Sequence, residues 1–561
     1  MSDRLAPLAL LIVAATVLVY LPALQADFVW DDNDWVTENP LVTGEASFVE
    51  LWTGVERLHY YPVTFTAWRL MHALWELHPF GYHLVNVLLH ALNALLVVLL
   101  LRRLDVPGAA CVGLLFALHP VHVESVAWVT ELKNVLSAAL LLRSAYLLVR
   151  GRRRLALAIF VLAVLSKTVV AVAALLFPWL LVRATSTRWK PAWWAATPFI
   201  AVGTLLGLLA VRLEAALAAQ DQALTFVERL QLCGSAIGFY AQKLIVPHPL
   251  SFHYERWPLS ETLAWHTLLA VGVITIAVIM RYRDRLPTLG WVASGLLLAP
   301  ALGWIDVYWF RYAWVAEHFV YLASIPALAL VVAAAARWLP RTVQIPLAVV
   351  VLGLFGFLSW QRAHDWKDTD TLWRATLKTN PTSWLANHSL AIEALDKQRW
   401  SAARTAFERA LEGNPDAYES RTGLAMALLG EGDANAAVRQ LDAALEAQPS
   451  YPQARLQRGI ARSRAQQFGG AIEDLTLFLN ANPQSAEARI HRARAAVANG
   501  SWQLARDDAR SLQQLPDYRG LALEIEGLVL LRTESRDAGC SLLEQACASG
   551  ACRIWQLECA P

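Results

Sequence analysis

The 561-residue sequence is short of charge, cysteine and methionine. Only 17% of residues are charged and the formal net charge is +2, so no basic surface is offered to nucleic acid. Six cysteines are too few to brace a chain of this length, and two of them, Cys111 and Cys233, sit in apolar stretches as small hydrophobes. Apolar residues are what the chain has in excess. They make up 56% of it, with a mean hydropathy of +0.38, above the range of a soluble globular chain.

That excess is confined to the first two-thirds. Runs near 18–20 apolar residues are long enough to cross a bilayer as helices. Spans are read near 6–24, 81–101, 107–128, 132–149, 155–165, 168–182, 191–211, 262–280, 287–305, 318–336 and 343–360, about eleven in all. The stretch 226–247, with Arg229, Gln231, Gln242 and Lys243, is amphipathic and is placed at the membrane interface. Basic loops at Arg102-Arg103, 150–154, 183–190, 281–285 and 337–341 all fall on one side, which should be cytoplasmic. The N-terminus is then cytoplasmic, and everything after Trp360 lies outside. A signal peptide ending at Ala26 is the alternative for the first run. Its Met-Ser-Asp-Arg start is barely basic and further spans follow, so an anchored helix is preferred.

The last third is periodic. Prolines 381, 415, 449, 483 and 516 are spaced by 34, 34, 34 and 33 residues, the tetratricopeptide period. Ala391, Ala403, Phe407 and Ala410 precede Pro415, and Ala425, Ala437, Ala444 and then Gly459 and Ala471 recur in step. Small residues let paired helices approach closely, and proline ends each second helix. The expected fold class is therefore all-α: a multi-span transmembrane domain over 1–360 with a first external loop at 25–80, a linker at 361–381, four repeats over 382–517 forming an α-solenoid, and capping helices over 518–561. Such solenoids bind proteins or peptides on their concave face; simple spacing is the alternative role.

Four cysteines fall in that cap. Cys540 and Cys547 are seven apart, as are Cys552 and Cys559, with a tight turn at 548–551 between the pairs. In an antiparallel hairpin residues equidistant from the turn are level, which pairs Cys540 with Cys559 and Cys547 with Cys552. Buried thiols or a zinc site are the alternatives, although both spacings are longer than usual for zinc ligand pairs. Disulfides would place the cap in an oxidising compartment, agreeing with the charge rule.

The candidate chemistry lies in the membrane domain. Phe28-Val29-Trp30-Asp31-Asp32-Asn33-Asp34 opens the first loop, which continues to Tyr60-Tyr61-Pro62. A solvated acidic cap is the bland explanation. Paired acids among aromatics also suit a general base, or a divalent-metal ligand at Asp31 and Asp32, beside a sugar ring. Ionisable residues then recur at the same face: His119, His122 and Glu124 in one kinked segment, Lys133, Lys167, Arg256, Arg311, Glu317 and His318. The basic ones suit holding a lipid-linked phosphate at the bilayer surface. Snorkelling to the interface is the alternative for any one of them.

These residues carry a resemblance. Phe28 to Asp32, Tyr61-Pro62-Val63-Thr64, Phe80-Gly81-Tyr82-His83-Leu84-Val85-Asn86, Leu89-His90-Ala91-Leu92-Asn93, Ala117 to Trp128, Leu165-Ser166-Lys167, Gly238-Phe239-Tyr240 and Tyr321-Leu322-Ala323-Ser324, with the repeats, resemble the transmembrane and tetratricopeptide-repeat-containing proteins and their bacterial relatives. That family belongs to the GT-C class of membrane glycosyltransferases. The resemblance implies a GT-C-type fold, a polyprenyl-phosphate-linked sugar as donor, and an inverting displacement with Asp31 or Asp32 as base. It also implies an acceptor hydroxyl on protein or glycan. The chain departs from the pattern at Glu317-His318-Phe319, at Lys133-Asn134 and at Tyr61. The expected location is a bacterial inner membrane with the repeats in the periplasm. A non-catalytic repeat scaffold for envelope assembly is the alternative function. A transporter is disfavoured, since the sequence shows no paired halves.

Overall fold

The computed structural model describes residues 5–54, 60–218, 224–259, 263–282, 286–305, 307–549, 551 and 553–560. Among these residues every regular element is a helix. The chain divides into two compact units, Met1–Pro381 and Thr382–Pro561.

Among the described residues of the first unit five helices are long and apolar enough to cross a membrane: Pro79–Arg103, Val129–Val149, Thr168–Thr185, Trp189–Arg212 and Arg341–His364. Ala109–Leu118 and Pro120–Ala127 make a sixth if counted as one span bent by 55°. Leu5–Val19, Trp265–Ile276, Pro287–Ala301 and Ser324–Trp338 are apolar but shorter. The expectation of about eleven spans is corrected accordingly: several apolar runs are cut below spanning length by breaks in the helix. The bend has a clear cause. Pro120 has no amide proton to donate to the carbonyl of Phe116, four residues back. His122 Nδ1 lies 2.8 Å from that carbonyl oxygen and satisfies it instead.

Residues 361–381, expected as a linker, are instead helical and packed. Arg341–His364 runs into them, Thr369–Thr379 follows, and Trp366 and Trp373 are fully buried. Two tryptophans bury too much apolar surface to be left on a solvated connection. The amphipathic stretch becomes the helix Phe226–Ile245, started by a Thr225–Glu228 capping box, with Leu232, Cys233, Ala236 and Tyr240 on its buried face.

The second unit is a run of helix pairs: Trp384–Asp396 with Trp400–Gly413, Tyr418–Glu431 with Ala434–Ala447, Pro452–Arg464 with Phe468–Ala481, and Ala486–Asn499 with Trp502–Gln513. Ala403, Ala437, Ala471 and Ala505, each 34 apart, are fully buried, as are Phe407, Leu441 and Leu475. The period extends to side-chain bonds. Arg421, Arg455 and Arg489 each donate to the carbonyl of the proline six residues back, at 2.8, 2.7 and 2.6 Å. A fifth pair, Arg519–Thr533 with Arg536–Ala548, and the short helix Arg553–Glu558 close the unit. Cys540 and Cys559 are bridged across that end, with Cα atoms 5.5 Å apart. The second expected bridge involves Cys552, which lies outside the described residues.

Candidate functional site

The first unit brings Asp31, Asp32, Glu131, Lys133 and Lys167 together where the 25–39 loop meets the start of the Val129–Val149 helix. Trp30 fixes the loop. Its φ of 49° is uncommon for a bulky residue, and it is held there by ring contacts with Trp128, Phe252, Trp309, Tyr312 and Trp373 at 5.5, 5.2, 5.7, 5.7 and 6.1 Å. Its amide also donates to Thr369 Oγ1 at 3.3 Å. The single-turn π-helix Asn33–Thr37 follows.

Between these features the two adjacent aspartates take different roles. Asp32 is fully buried and spent on structure. Its Oδ2 accepts from the Val29 amide at 2.9 Å, and its Oδ1 accepts from the Thr130 amide and hydroxyl at 2.8 and 2.6 Å. Burial pushes its pKa up to about 6 despite those bonds. Asp31 is half-buried, and its Oδ1 is shielded without a hydrogen-bond partner. Burial pushes its pKa up to about 8. The positive charge of Lys133 and a bond from the Trp35 side chain act against that rise, while Asp32 and Glu131 add to it. Only Asp31 therefore has capacity left to take a proton. Both Asp32 oxygens already accept hydrogen bonds, three in all. Among the described residues no group of three or more His, Cys, Asp or Glu side chains is placed to hold a metal. A divalent cation at Asp31 and Asp32 stays an expectation from the sequence, and no step is assigned to a metal.

Lys133 and Lys167 meet at Glu131. Lys133 Nζ is 3.2 Å from Oε1 and Lys167 Nζ 3.2 Å from Oε2. Lys167 also donates to Asn134 Oδ1 at 2.8 Å. Lys133 lies over the rings of Trp35 and Trp128, 4.8 and 5.6 Å from their centroids. Asn134 in turn donates to the His318 carbonyl at 2.8 Å, and the His318 ring is hydrogen-bonded to Glu124. Two cations share the Glu131 carboxylate, and Asp32 also lies in the field of Lys133, so the cluster beside Asp31 is close to charge balance.

Other expected site residues are placed elsewhere. His119 and His122 are fully buried helix-break fasteners: His119 Nε2 contacts the Leu244 carbonyl at 3.1 Å, and His122 Nε2 contacts Ser324 Oγ at 2.9 Å. Their ring nitrogens are engaged with the protein, so neither is positioned to hold a phosphate. Glu124 is also interior. Arg256 lies over Trp314 at 4.8 Å and hydrogen-bonds the Phe310 carbonyl, and Arg311 lies over Tyr312 at 5.9 Å. Tyr312, beneath Arg311, packs in turn on Trp30. Glu131, Thr130 and Arg362 are further polar residues of this interior that no sequence motif singles out. Arg362 is 3.7 Å from Glu317, which also accepts from Tyr254 at 2.8 Å. For Glu131 a signal was present, an acid two positions before Lys133 at the head of an apolar run.

The chain is similar to animal protein O-mannosyl-transferases. It is 31% identical to F38B6.6 of Caenorhabditis elegans over 159 residues, 26% of this chain and 23% of that protein. With Tmtc1 of Drosophila melanogaster the figures are 35% over 126 residues, 20% and 15%, and with mouse TMTC3 33% over 143 residues, 24% and 16%. Each match thus spans less than a quarter of the relative's own length. The tetratricopeptide repeat family matches residues 388–452, 423–473 and 456–519. Among solved structures, YrrB, a TPR protein with an unusual peptide-binding site, aligns with a TM-score of 0.30 and 16% identity over 33% of this chain and 95% of that one. Yeast Tom70 aligns with a TM-score of 0.25 and 13% identity over 80% and 88%.

Proposed function

We propose that the chain is a membrane glycosyltransferase that moves a sugar from a polyprenyl-phosphate carrier to a hydroxyl of a protein or glycan, with Asp31 as the base. The observation that carries this reading is the unpartnered Asp31 Oδ1 beside Lys133, in a carboxyl whose pKa is raised to about 8. The acceptor oxygen attacks the anomeric carbon as its proton passes to Asp31. The bond from that carbon to the phosphate oxygen breaks, and the phosphate leaves with the electron pair toward Lys133 and Lys167, inverting the centre. The partial similarity to O-mannosyl-transferases supports mannose as the first sugar to try. In this reading the site faces outward from a bacterial inner membrane, the N-terminus is cytoplasmic, and the repeats present a protein or peptide acceptor in the periplasm.

The test is transfer of radiolabelled mannose from polyprenyl-phosphate mannose to envelope extract by the purified full chain. Asp31→Asn is expected to lose transfer at unchanged folding, and undiminished transfer would sink the assignment. The second reading is a repeat scaffold without catalysis. The tying of Lys133 and Lys167 to Glu131 favours it, because both cations already have a counter-charge. That reading predicts full tolerance of Asp31→Asn.

A further inference from the structure

Where Pro79–Arg103, Val129–Val149, Thr168–Thr185 and Ser324–Trp338 converge, the first unit holds a cavity of about 690 Å³, within the size range of ligand sites. Leu101, Leu142, Leu176, Leu289, Ile325 and Ala329 are among its walls. Arg337 is the one charged residue among the described residues that line it. The indole N–H of Trp291 is already spent, donating to Thr275 Oγ1 at 2.7 Å. A polar ligand buried between such walls would lose its hydrogen bonds to water without replacement, whereas a hydrocarbon chain has none to lose. One end of the cavity has a different character. Leu104, Val106 and Pro107 border it there on one side, and Arg337 and Trp338 on the other. Four arginines gather at this end, Arg102, Arg103, Arg183 and Arg337, against one acid, Asp105, which lies 3.8 Å from Arg183. The turn that carries Asp105 packs directly on the Ser324–Trp338 helix, since a Cβ on Gly108 would lie 2.4 Å from Val332 Cγ1.

We propose that this cavity takes an acyl chain of an anionic membrane phospholipid, with the phosphate held by Arg337 at the rim. Charge and surroundings identify the occupant. The walls are candidate spans and shorter apolar helices, so acyl chains are the medium around them. The rim joins basic side chains to Trp338, which is 72% exposed, and tryptophan with arginine is the pairing found at headgroup level. Basic pockets between transmembrane helices bind anionic headgroups. A lipid that served Asp31 would have its headgroup at the other end of the same helices. Lys133 stands at the start of Val129–Val149 and Lys167 directly before Thr168–Thr185. Leu141, the first cavity residue of the former helix, lies eight residues on from Lys133, about 12 Å along the axis. Arg183 lies sixteen residues beyond Lys167. The bound chain thus acts as a packing element between the helices that carry the two lysines. The inference rests on the membrane character of the first unit and not on sugar transfer.

The test titrates dioleoyl phosphatidylglycerol or dioleoyl phosphatidylethanolamine onto the delipidated full chain and reads the complexes by native mass spectrometry. The first phosphatidylglycerol is expected to bind about fivefold tighter than the first phosphatidylethanolamine, and Arg337→Gln to remove that difference. Ala145 and Ala329 both line the cavity, and Ala145→Phe with Ala329→Phe fills it. That double variant should weaken first-lipid binding about tenfold. Equal affinity for the two lipids, or undiminished binding by the filled variant, overturns the proposal. So does displacement of phosphatidylglycerol by an equal amount of undecaprenyl phosphate, which would give the cavity to a polyprenyl tail. If the filled variant does not fold, the wild type is irradiated with phosphatidylglycerol carrying a diazirine at the end of one acyl chain. Adducts at 141–145 or 325–330 that unlabelled phosphatidylglycerol competes away support the proposal, and adducts confined to 341–364 overturn it.

Discussion

Both units hold carboxylates below their surface, and they treat them in opposite ways. In the repeat unit Asp474 takes bonds of 2.7 and 2.8 Å from Arg458 and a third of 2.8 Å from Arg462, and Asp508 takes bonds of 2.7 and 2.9 Å from Arg492. These are forked, charge-assisted pairs with both oxygens engaged. Arg458–Asp474 and Arg492–Asp508 are each sixteen residues apart and repeat with the 34-residue period. In the first unit Asp31 has an unpartnered oxygen and a raised pKa, while its neighbour Asp32 is saturated from a segment 98 residues away. A satisfied buried acid rigidifies its surroundings. An unsatisfied one carries a cost that stability alone does not explain, and such groups gather at working sites.

The contrast can be broken most sharply at Asp31. Asp31→Asn should lower sugar transfer by about 10²–10⁴-fold, the range for a lost general base, with no fall in the melting midpoint. If transfer persists, Asp31 is no different in kind from Asp474. The saturated acids should behave the other way. Asp474→Asn and Asp32→Ala each strand buried donors, and each should cost about 1–3 kcal/mol, read as a drop of several degrees in the melting midpoint. Their effect on transfer should track the folded fraction alone.

Titration gives a smaller but sharper signature. The folded pKa of Asp31, about 8, lies above its ordinary value of 3.8. The folded chain therefore holds a proton that the unfolded chain releases, and stability from this group falls as pH rises from about 4 through 8, levelling above that. Transfer needs the ionised base, so its rate should rise over the upper part of the same range and flatten above about pH 8. Thermal scans of wild type and Asp31→Asn from pH 5 to 9 check both signs: the wild-type midpoint should fall more steeply. Parallel curves would place the titration elsewhere.

The two regions also differed in how legible they were. The repeats could be read because each contact recurs at fixed offsets, so Ala403, Ala437 and Ala471 announce one another. Apolar character was equally plain, but helix breaks were not. Thr168–Leu176 is a 3₁₀ stretch within an apolar run, and nothing in its composition signals that. At the site, proximity in sequence misled. His119, His122 and Glu124 looked like ligands because polar groups are rare in such a run. In fact the histidines repair the break made by Pro120, and Glu124 bonds to His318, 194 residues away. Glu131 lacked a motif of its own, and its role appears only once Lys167 is brought to it from 36 residues along the chain. The split between Asp31 and Asp32 was not readable at all, since it depends on which of two adjacent side chains meets Thr130.

The most direct measurement is glycan analysis of envelope proteins and surface polysaccharides from cells expressing wild type or Asp31→Asn at equal membrane abundance. A glycoform present with wild type and absent with Asp31→Asn is the predicted result, and its attachment point identifies the acceptor. Identical glycan profiles, with the wild-type gene expressed, would contradict transfer through Asp31 and leave the repeats as the working part of the molecule.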